Sequence, residues 1–159
     1  MRRSDREITN RREITDILGR CDAVRLALNT PDYPYVVPMN FGFESVGPSL
    51  VLWLHCAPGG LKLDLIKKDN RAGFEADCSH NLVFGESACR YTMEYESVIG
   101  RGDIFVCDDS LGKLTGLGAI MRHYAPGRDF EFSDDELAGV CVLRLDVAQI
   151  TGKRLKKQV

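Results

Sequence analysis

The sequence predicts an α+β protein, an antiparallel β-barrel with short helices at its periphery, and three observations predict it. Apolar residues recur with period two in several segments. Short turn-forming clusters join neighbouring segments. Helices interrupt runs of strands without the strict alternation that a parallel sheet needs.

Each element has its own signal. Asn10 and Glu13 have the spacing of an N-cap and its reciprocal partner, and Ile14, Ile17 and Leu18 follow at helical intervals before Gly19. Ala23 to Leu28 alternates with period two and stops at the turn-forming cluster Asn29 to Asp32. Tyr35 to Glu44 reads as a second strand, which Gly47 and Pro48 turn into a third, Ser49 to Cys56, so that the three form an antiparallel meander. Gly59 and Gly60 break that strand, and Leu61 with Leu65 and Lys62 with Ile66 share faces of a short helix from Leu61 to Lys68. Arg71 to Asp77 and Ala88 to Val106 are strand-like, the second with a bend or bulge at Gly100 to Gly102. Ser110 caps a helix whose Leu111, Leu114, Leu117, Gly118 and Met121 form one apolar stripe, and Val140 to Val147 is the final strand.

The 159 residues are read as a single domain, 1–159, long enough to bury roughly 70% of the unfolded chain's surface without disulfides or metals. Lys and Arg total 21 against 23 for Asp and Glu, so the net charge of −2 gathers no polyanions and a general nucleic-acid binder is not expected. No apolar run approaches the ~18 residues that span a bilayer, so no membrane partner is expected. The basic start, Met1 to Glu7, leads into no hydrophobic region, so it is not read as a signal peptide and a cytoplasmic location is expected. Cys21, Cys56, Cys78, Cys89, Cys107 and Cys141 contain no C-x-x-C pair and read as small buried hydrophobes of a reducing compartment.

The nucleophile elbow, the phosphate loop, the full dinucleotide fingerprint and the zincin motif are absent. His55, His80 and His123 sit in different elements without ligand spacing, so no metal site is read, and His123 suits a packing or dipole-complementing place at a helix end. The informative segment is Leu52 to Leu63. A strand ends at His55, two glycines free the backbone, and a helix opens with Lys62 in its first turn. That arrangement receives a phosphate, because unpaired N–H groups and the positive end of the helix dipole point outward; it is also the form of an ordinary strand-to-helix connection. The second unusual patch is Val36 to Gly42. Pro38 cannot donate to a ladder, so it marks an edge or a break that leaves backbone groups free for a planar ligand, and Asn40 offers both donor and acceptor. An edge strand with no ligand would look the same.

Together these patches resemble the flavin-binding split barrels of the pyridoxamine 5'-phosphate oxidase superfamily, in particular its nitroimidazole-reductase-like (NimA-like) branch. The resemblance runs through Arg2 to Ile8, Pro34 to Gly42, His55 to Asp64, Tyr95 to Gly102, Met121 to Tyr124, and Leu143 to Asp146 leading to Ile150 to Lys153. It implies a split antiparallel β-barrel and a homodimer with FMN, or alternatively FAD or a deazaflavin, in each of two interface clefts. Pro38, Met39, Asn40 and Phe41 would line the ring, His55 and Cys56 would follow on the next strand, and Ala57 through Lys62, with Gly60 and Leu61, would hold the phosphate. Tyr95 and Ser97 would reach the flavin from the second subunit.

Many members carry a basic residue where this chain has Leu61, which removes one phosphate-binding charge. The basic and histidine-containing C-terminal motif of true oxidases is also absent, so pyridoxal-phosphate synthesis is not expected, and Lys153 to Lys157 reads as a solvated end. The resemblance implies an FMN-dependent oxidoreductase that takes electrons from NAD(P)H and reduces small electron-poor substrates such as nitroaromatics. The alternative is a non-enzymatic flavin or haem carrier. His55 is the candidate catalytic residue, donating to a flavin carbonyl, to the phosphate or to a substrate; it is equally read as a strand-end histidine bonded by backbone. Substrate contacts would come from loops such as Cys78 to Ala88.

Overall fold

Asn40 divides what the sequence presents as one strand into two, and this division sets the architecture. The computed structural model describes residues 3–156, so Met1, Arg2 and Lys157, which figure in the expectations above, lie outside them. The strands are β1 (Glu7–Ile8), β2 (Val24–Leu28), β3 (Tyr35–Met39), β4 (Phe41–Val46), β5 (Ser49–Cys56), β6 (Arg71–Val83), β7 (Thr92–Cys107) and β8 (Cys141–Leu155). The helices are α1 (Arg11–Leu18), α2 (Leu61–Lys68), α3 (Ser110–Tyr124) and α4 (Asp134–Ala138). All strand pairs are antiparallel, in the order β3-β2-β6-β7-β8-β5-β4 with β1 on β8.

The first and last strands of that path, β3 and β4, are neighbours in sequence, separated by Asn40 alone. The sheet therefore curls until its two edges meet at one residue, yet no ladder joins them. This is the split antiparallel barrel. It also corrects the meander: β3 pairs only with β2 and β4 with β5, so the Tyr35 to Glu44 segment serves both edges of the sheet rather than one strand. Pro38 is the local cause, since without an N–H it suits an edge and bonds only toward Arg25 of β2.

Inward residues of both halves fill the barrel. Leu26, Phe41, Leu52, Leu54, Ile104, Leu143 and Leu145 are fully buried, each contributing ~1.5–3 kcal/mol by removal from water. α1 adds Ile14, Ile17 and Leu18, as its spacing predicts, and Asn10 caps it by accepting the Arg12 and Glu13 N–H groups. Glu13 does not return to the cap. Its carboxylate accepts from Arg154 on β8 (3.0 Å). α2 matches its predicted bounds and buries Leu63, Leu65 and Ile66.

Several expectations are corrected. Asp109, not Ser110, caps α3, and the buried face of that helix is Gly116, Ala119 and Ile120, while Leu111 and Leu114 are exposed. The predicted leucine stripe counts residue size. The real contact needs small residues, because a Cβ on Gly116 would overlap Val142 and Trp53. β6 runs on through the expected Cys78 loop to Val83, with a register shift between Cys78 and Asn81. Ala88–Arg90 is a 3-10 turn before β7. The irregularity near Gly100 to Gly102 is present, with Ala148 of β8 as the extra residue. The tail is not a solvated end: Lys153, Arg154 and Leu155 continue β8 and pair with β7. Of the cysteines only Cys21 and Cys141 are buried, and Cys89 is exposed.

α3 lies so close to β4 that a Cβ on Gly42 would overlap the backbone of Ala119 and Ile120. Gly42→Ala must therefore displace a helix rather than rotate a side chain. It should cost ~1–3 kcal/mol in urea unfolding, the range of an overpacked core; a cost under about 0.5 kcal/mol would show that α3 is not held there.

Candidate functional site

Half of the residues singled out by sequence lie at or next to the barrel seam. The β4–β5 ladder begins at Phe41 opposite Leu54, and one residue beyond it stand Asn40 and His55, both exposed. Pro38 is exposed on β3, Met39 is buried beneath it, and Phe41 is fully buried. His55 and Cys56 continue β5 opposite Val142 and Cys141 of β8. No described residue hydrogen-bonds the His55 ring, so it is not the backbone-bonded histidine of the alternative reading. Burial, with the Cys56 thiol beside it, pushes the Cys141 thiol up to about 11.

The end of α3 fixes this seam, and sequence reasoning missed how. The Tyr124 hydroxyl accepts the Phe41 N–H (3.1 Å) and donates to the Asp22 carbonyl (2.7 Å). The first donor of β4 is therefore satisfied from outside the sheet. His123 packs on Phe41 with ring centroids 4.6 Å apart and bonds the Cys21 carbonyl through Nε2 (2.7 Å), the helix-end packing place expected of it. Glu44 accepts from the Trp53 indole (3.1 Å) and from Arg122 (2.9 Å), tying the same helix to β4 and β5. The only sequence signal for these ties was the Met121 to Tyr124 segment.

Past Cys56 the chain turns through Ala57 to Gly60 into α2. Gly60 sits at φ 113°, in the left-handed region that favours glycine, and its carbonyl accepts the Leu63 (3.0 Å) and Asp64 (3.3 Å) N–H groups. No side chain caps the helix, so the Leu61 and Lys62 N–H groups have no partner among the described residues. A Cβ built on Gly59 or Gly60 would meet nothing within 4 Å, so the approach to those donors is open. Lys62 is half-buried and unpaired among the described residues, while Leu61 is 58% exposed. Two free amide donors, a free ammonium and the positive end of a helix thus meet at the turn after β5, a donor set whose chemistry suits an anion.

Tyr95 and Ser97 lie far along β8 from this corner, paired with Leu155 and Lys153, so one chain does not bring them to His55. Burial pushes the Tyr95 phenol up, but hydrogen bonds and charge from Lys153 and Arg6 outweigh it and hold it below its ordinary value. Between them Glu96 is 2% exposed and accepts from Arg20, Arg154 (Nε, 2.5 Å) and Ser79 (3.0 Å). Burial raises the Glu96 carboxyl, and these hydrogen bonds overcome it, bringing it to about 2. A groove of about 760 Å³, lined by Asn29, Asp69, Arg71, Arg101, Asp103 and Gln149, is elsewhere and contains none of the predicted site residues.

A split antiparallel barrel whose β5 leads into an uncapped helix start defines the structural class. The family model described as pyridoxamine 5'-phosphate oxidase matches residues 10–154, and the chain belongs to that family. Among solved structures it is similar to a candidate 5-nitroimidazole antibiotic resistance protein from Bacteroides thetaiotaomicron, at 34% identity over 93% of this chain and 86% of that one, with a TM-score of 0.80. It is similar in fold to an FAD and heme binding protein from Mycobacterium smegmatis (23% identity, 96% and 74% covered, TM-score 0.80). A flavocytochrome from Azotobacter vinelandii shares that fold (17% identity, 99% and 72% covered, TM-score 0.81). No curated protein matches the sequence. No helix among the described residues is long and apolar enough to cross a membrane.

Proposed function

We propose that this chain is a flavin-dependent reductase that holds FMN at the barrel seam, takes electrons from NADH or NADPH, and passes them to small electron-poor substrates such as nitroaromatics. The observation that carries the reading is the corner at Gly60 to Lys62, where unpaired N–H groups and an unpaired ammonium stand at the helix start that follows β5. A terminal phosphate fits that donor set. Similarity to the nitroimidazole-resistance protein supports the substrate class.

Bound there, the flavin supplies the electron transfer, and the protein's part is to bind, orient and tune. Lys62 and the Leu61 and Lys62 amides bind the phosphate, with Ala57 and Gly60 shaping the loop. Pro38, Met39, Asn40 and Phe41 would line the ring, with Asn40 the exposed donor and acceptor among them, and Cys56 would close the strand end. His55, exposed with no ring partner among the described residues, would offer a hydrogen bond to the ring or to a substrate. Tyr95 and Ser97 complete the cleft from a second subunit. Ile99 (54% exposed) and Phe105 (45%) on the outer face of β7 support that homodimer, since a two-fold contact would cover them.

Reconstitution with FMN and, separately, FAD should give a yellow dimer of about twice the 17.8 kDa chain mass by light scattering. Anaerobic NADH or NADPH should bleach it, and a nitroaromatic should restore the colour. A monomer that binds flavin stoichiometrically would overturn the shared cleft. A flavin that neither donor reduces, and no acceptor in a panel of nitroaromatics and quinones reoxidises after chemical reduction, would leave the carrier reading. His55→Ala is expected to retain FMN and lower turnover several-fold, because an orienting group is lost while the cofactor keeps the chemistry; a loss on the order of 10²-fold or more would make His55 the proton donor.

A further inference from the structure

The geometry points to a second reactive centre, unrelated to the flavin reading: Cys78 and Cys21 form a dithiol that a hydroperoxide oxidises to a disulfide. Both thiols converge on one acceptor. Cys21 Sγ lies 3.3 Å and Cys78 Sγ 4.0 Å from the Ile17 carbonyl oxygen at the end of α1. A direct side-chain hydrogen bond joins the two thiols, so the sulfurs are neighbours although β6 and the segment after α1 are far apart in sequence. The surroundings of Cys78 are those of a reactive thiol. Arg20 Nη1 is 3.8 Å from its sulfur and Ser79 Oγ 3.6 Å, and Cys78 is half-buried rather than sealed.

Ser79 is held at φ 59°, the one described non-glycine residue in the left-handed region, at the register shift of β6. Its hydroxyl accepts from Arg20 (2.8 Å) and now gives its hydrogen to Glu96 (3.0 Å). By rotation it can give that hydrogen to a Cys78 thiolate instead. Glu96 is shared by Arg20 and Arg154, and Asp77, beside Cys78, is paired with Arg25 and His80, so the neighbouring carboxylates are each matched and Arg20 is the cation that reaches the sulfur. Cys21 is 1% exposed, and burial pushes its thiol up, which makes it the resolving partner rather than the attacking one.

The chemistry balances in two steps. The Cys78 thiolate attacks one oxygen of the hydroperoxide, an S–O bond forms as the O–O bond breaks, and the leaving oxygen takes a proton to become water or an alcohol. The sulfenic acid so formed is then attacked by the Cys21 sulfur as its proton leaves. An S–S bond forms, the S–O bond breaks, and hydroxide departs with that proton as water. Two electrons pass from two thiols to one peroxide.

Hydrogen peroxide added to the reduced full-length protein should link the Cys21 and Cys78 peptides with loss of two hydrogens, read by mass spectrometry. Cys56 and Cys141 also face each other across β5 and β8, but no guanidinium among the described residues lies on either sulfur, so they should stay reduced at the dose that links the first pair. Exposed Cys89 should react roughly tenfold more slowly than Cys78. Cys21→Ser should leave Cys78 as a sulfenic acid that a 1,3-diketone traps, with circular dichroism checking the fold. The assignment is overturned if Cys56–Cys141 or Cys89 oxidises first in the wild-type protein, or if no Cys21–Cys78 link forms before Cys78 is overoxidised.

Discussion

Glu96→Ala is expected to lower the stability of the protein by about 3 kcal/mol, the largest effect of any single surface-to-core ionic change proposed for it. Glu96 is 2% exposed and lies between guanidinium groups of Arg20 and Arg154. Arg154 also donates to Glu13 of α1 (3.0 Å), so one carboxylate organises the junction of α1, β7 and β8. Breaking a buried pair costs ~3–5 kcal/mol when the remaining charge cannot reach water. Here Arg20 and Arg154 keep 46% and 31% of their side-chain surface exposed, so they recover part of their hydration and the low end applies. Urea unfolding with an unchanged m-value would measure it, and a loss below about 1 kcal/mol would show that the network is not holding the barrel.

The same group sets an acid limit. Its folded pKa, about 2, is depressed from the ordinary 4.5, so it binds fewer protons folded than unfolded over that interval. Its contribution is therefore complete above the unfolded value and is lost as pH falls towards the folded one, a difference on the order of 3 kcal/mol. The stability gap between wild type and Glu96→Gln should be full above about pH 5 and shrink as pH falls towards 2.

Local signals were legible where local physics decides. The cap at Asn10, the bounds of α2 and β5 and the bulge near Gly102 all follow from a few adjacent residues. The break at Asn40 was half legible: Pro38 announced an edge, but that the next strand returns to the opposite edge depends on the whole sheet order. α3 was misread because hydrophobic size marks a core face only where there is room, and Gly42 and Gly116 remove the room. Ser133 and Glu136 form a capping box that opens α4, a signal that lies in four adjacent residues. Glu96 looks like any charge in alternating β7, since its partners come from the turn after α1, from β6 and from the end of β8. The open start of α2 at Gly60 to Lys62 was legible because a helix start needs no distant residue to present its free donors. Tyr124 needed the fold, since Phe41 lies far from it in sequence.

Lys62→Ala is expected to weaken FMN binding roughly 10- to 100-fold, the equivalent of one charge-assisted hydrogen bond worth ~1.5–3 kcal/mol. The effect should be this large because Lys62 stands alone: Leu61 supplies no second charge, and no carboxylate among the described residues pairs with the Lys62 ammonium. It should not be larger, because the Leu61 and Lys62 amides and the helix dipole remain after the side chain is gone. Lys67→Ala on the exposed side of the same helix keeps the local charge change and removes the geometry, so it should leave affinity within about twofold. Leu61→Lys should tighten binding by restoring a second cation at the helix start. Fluorescence titration of apo-protein with FMN reads all three variants, and riboflavin, which lacks the phosphate, should bind wild type and Lys62→Ala alike. Equal FMN affinity for wild type and Lys62→Ala, with Leu61→Lys also unchanged, would remove the phosphate from this corner and with it the placement of the flavin at the seam.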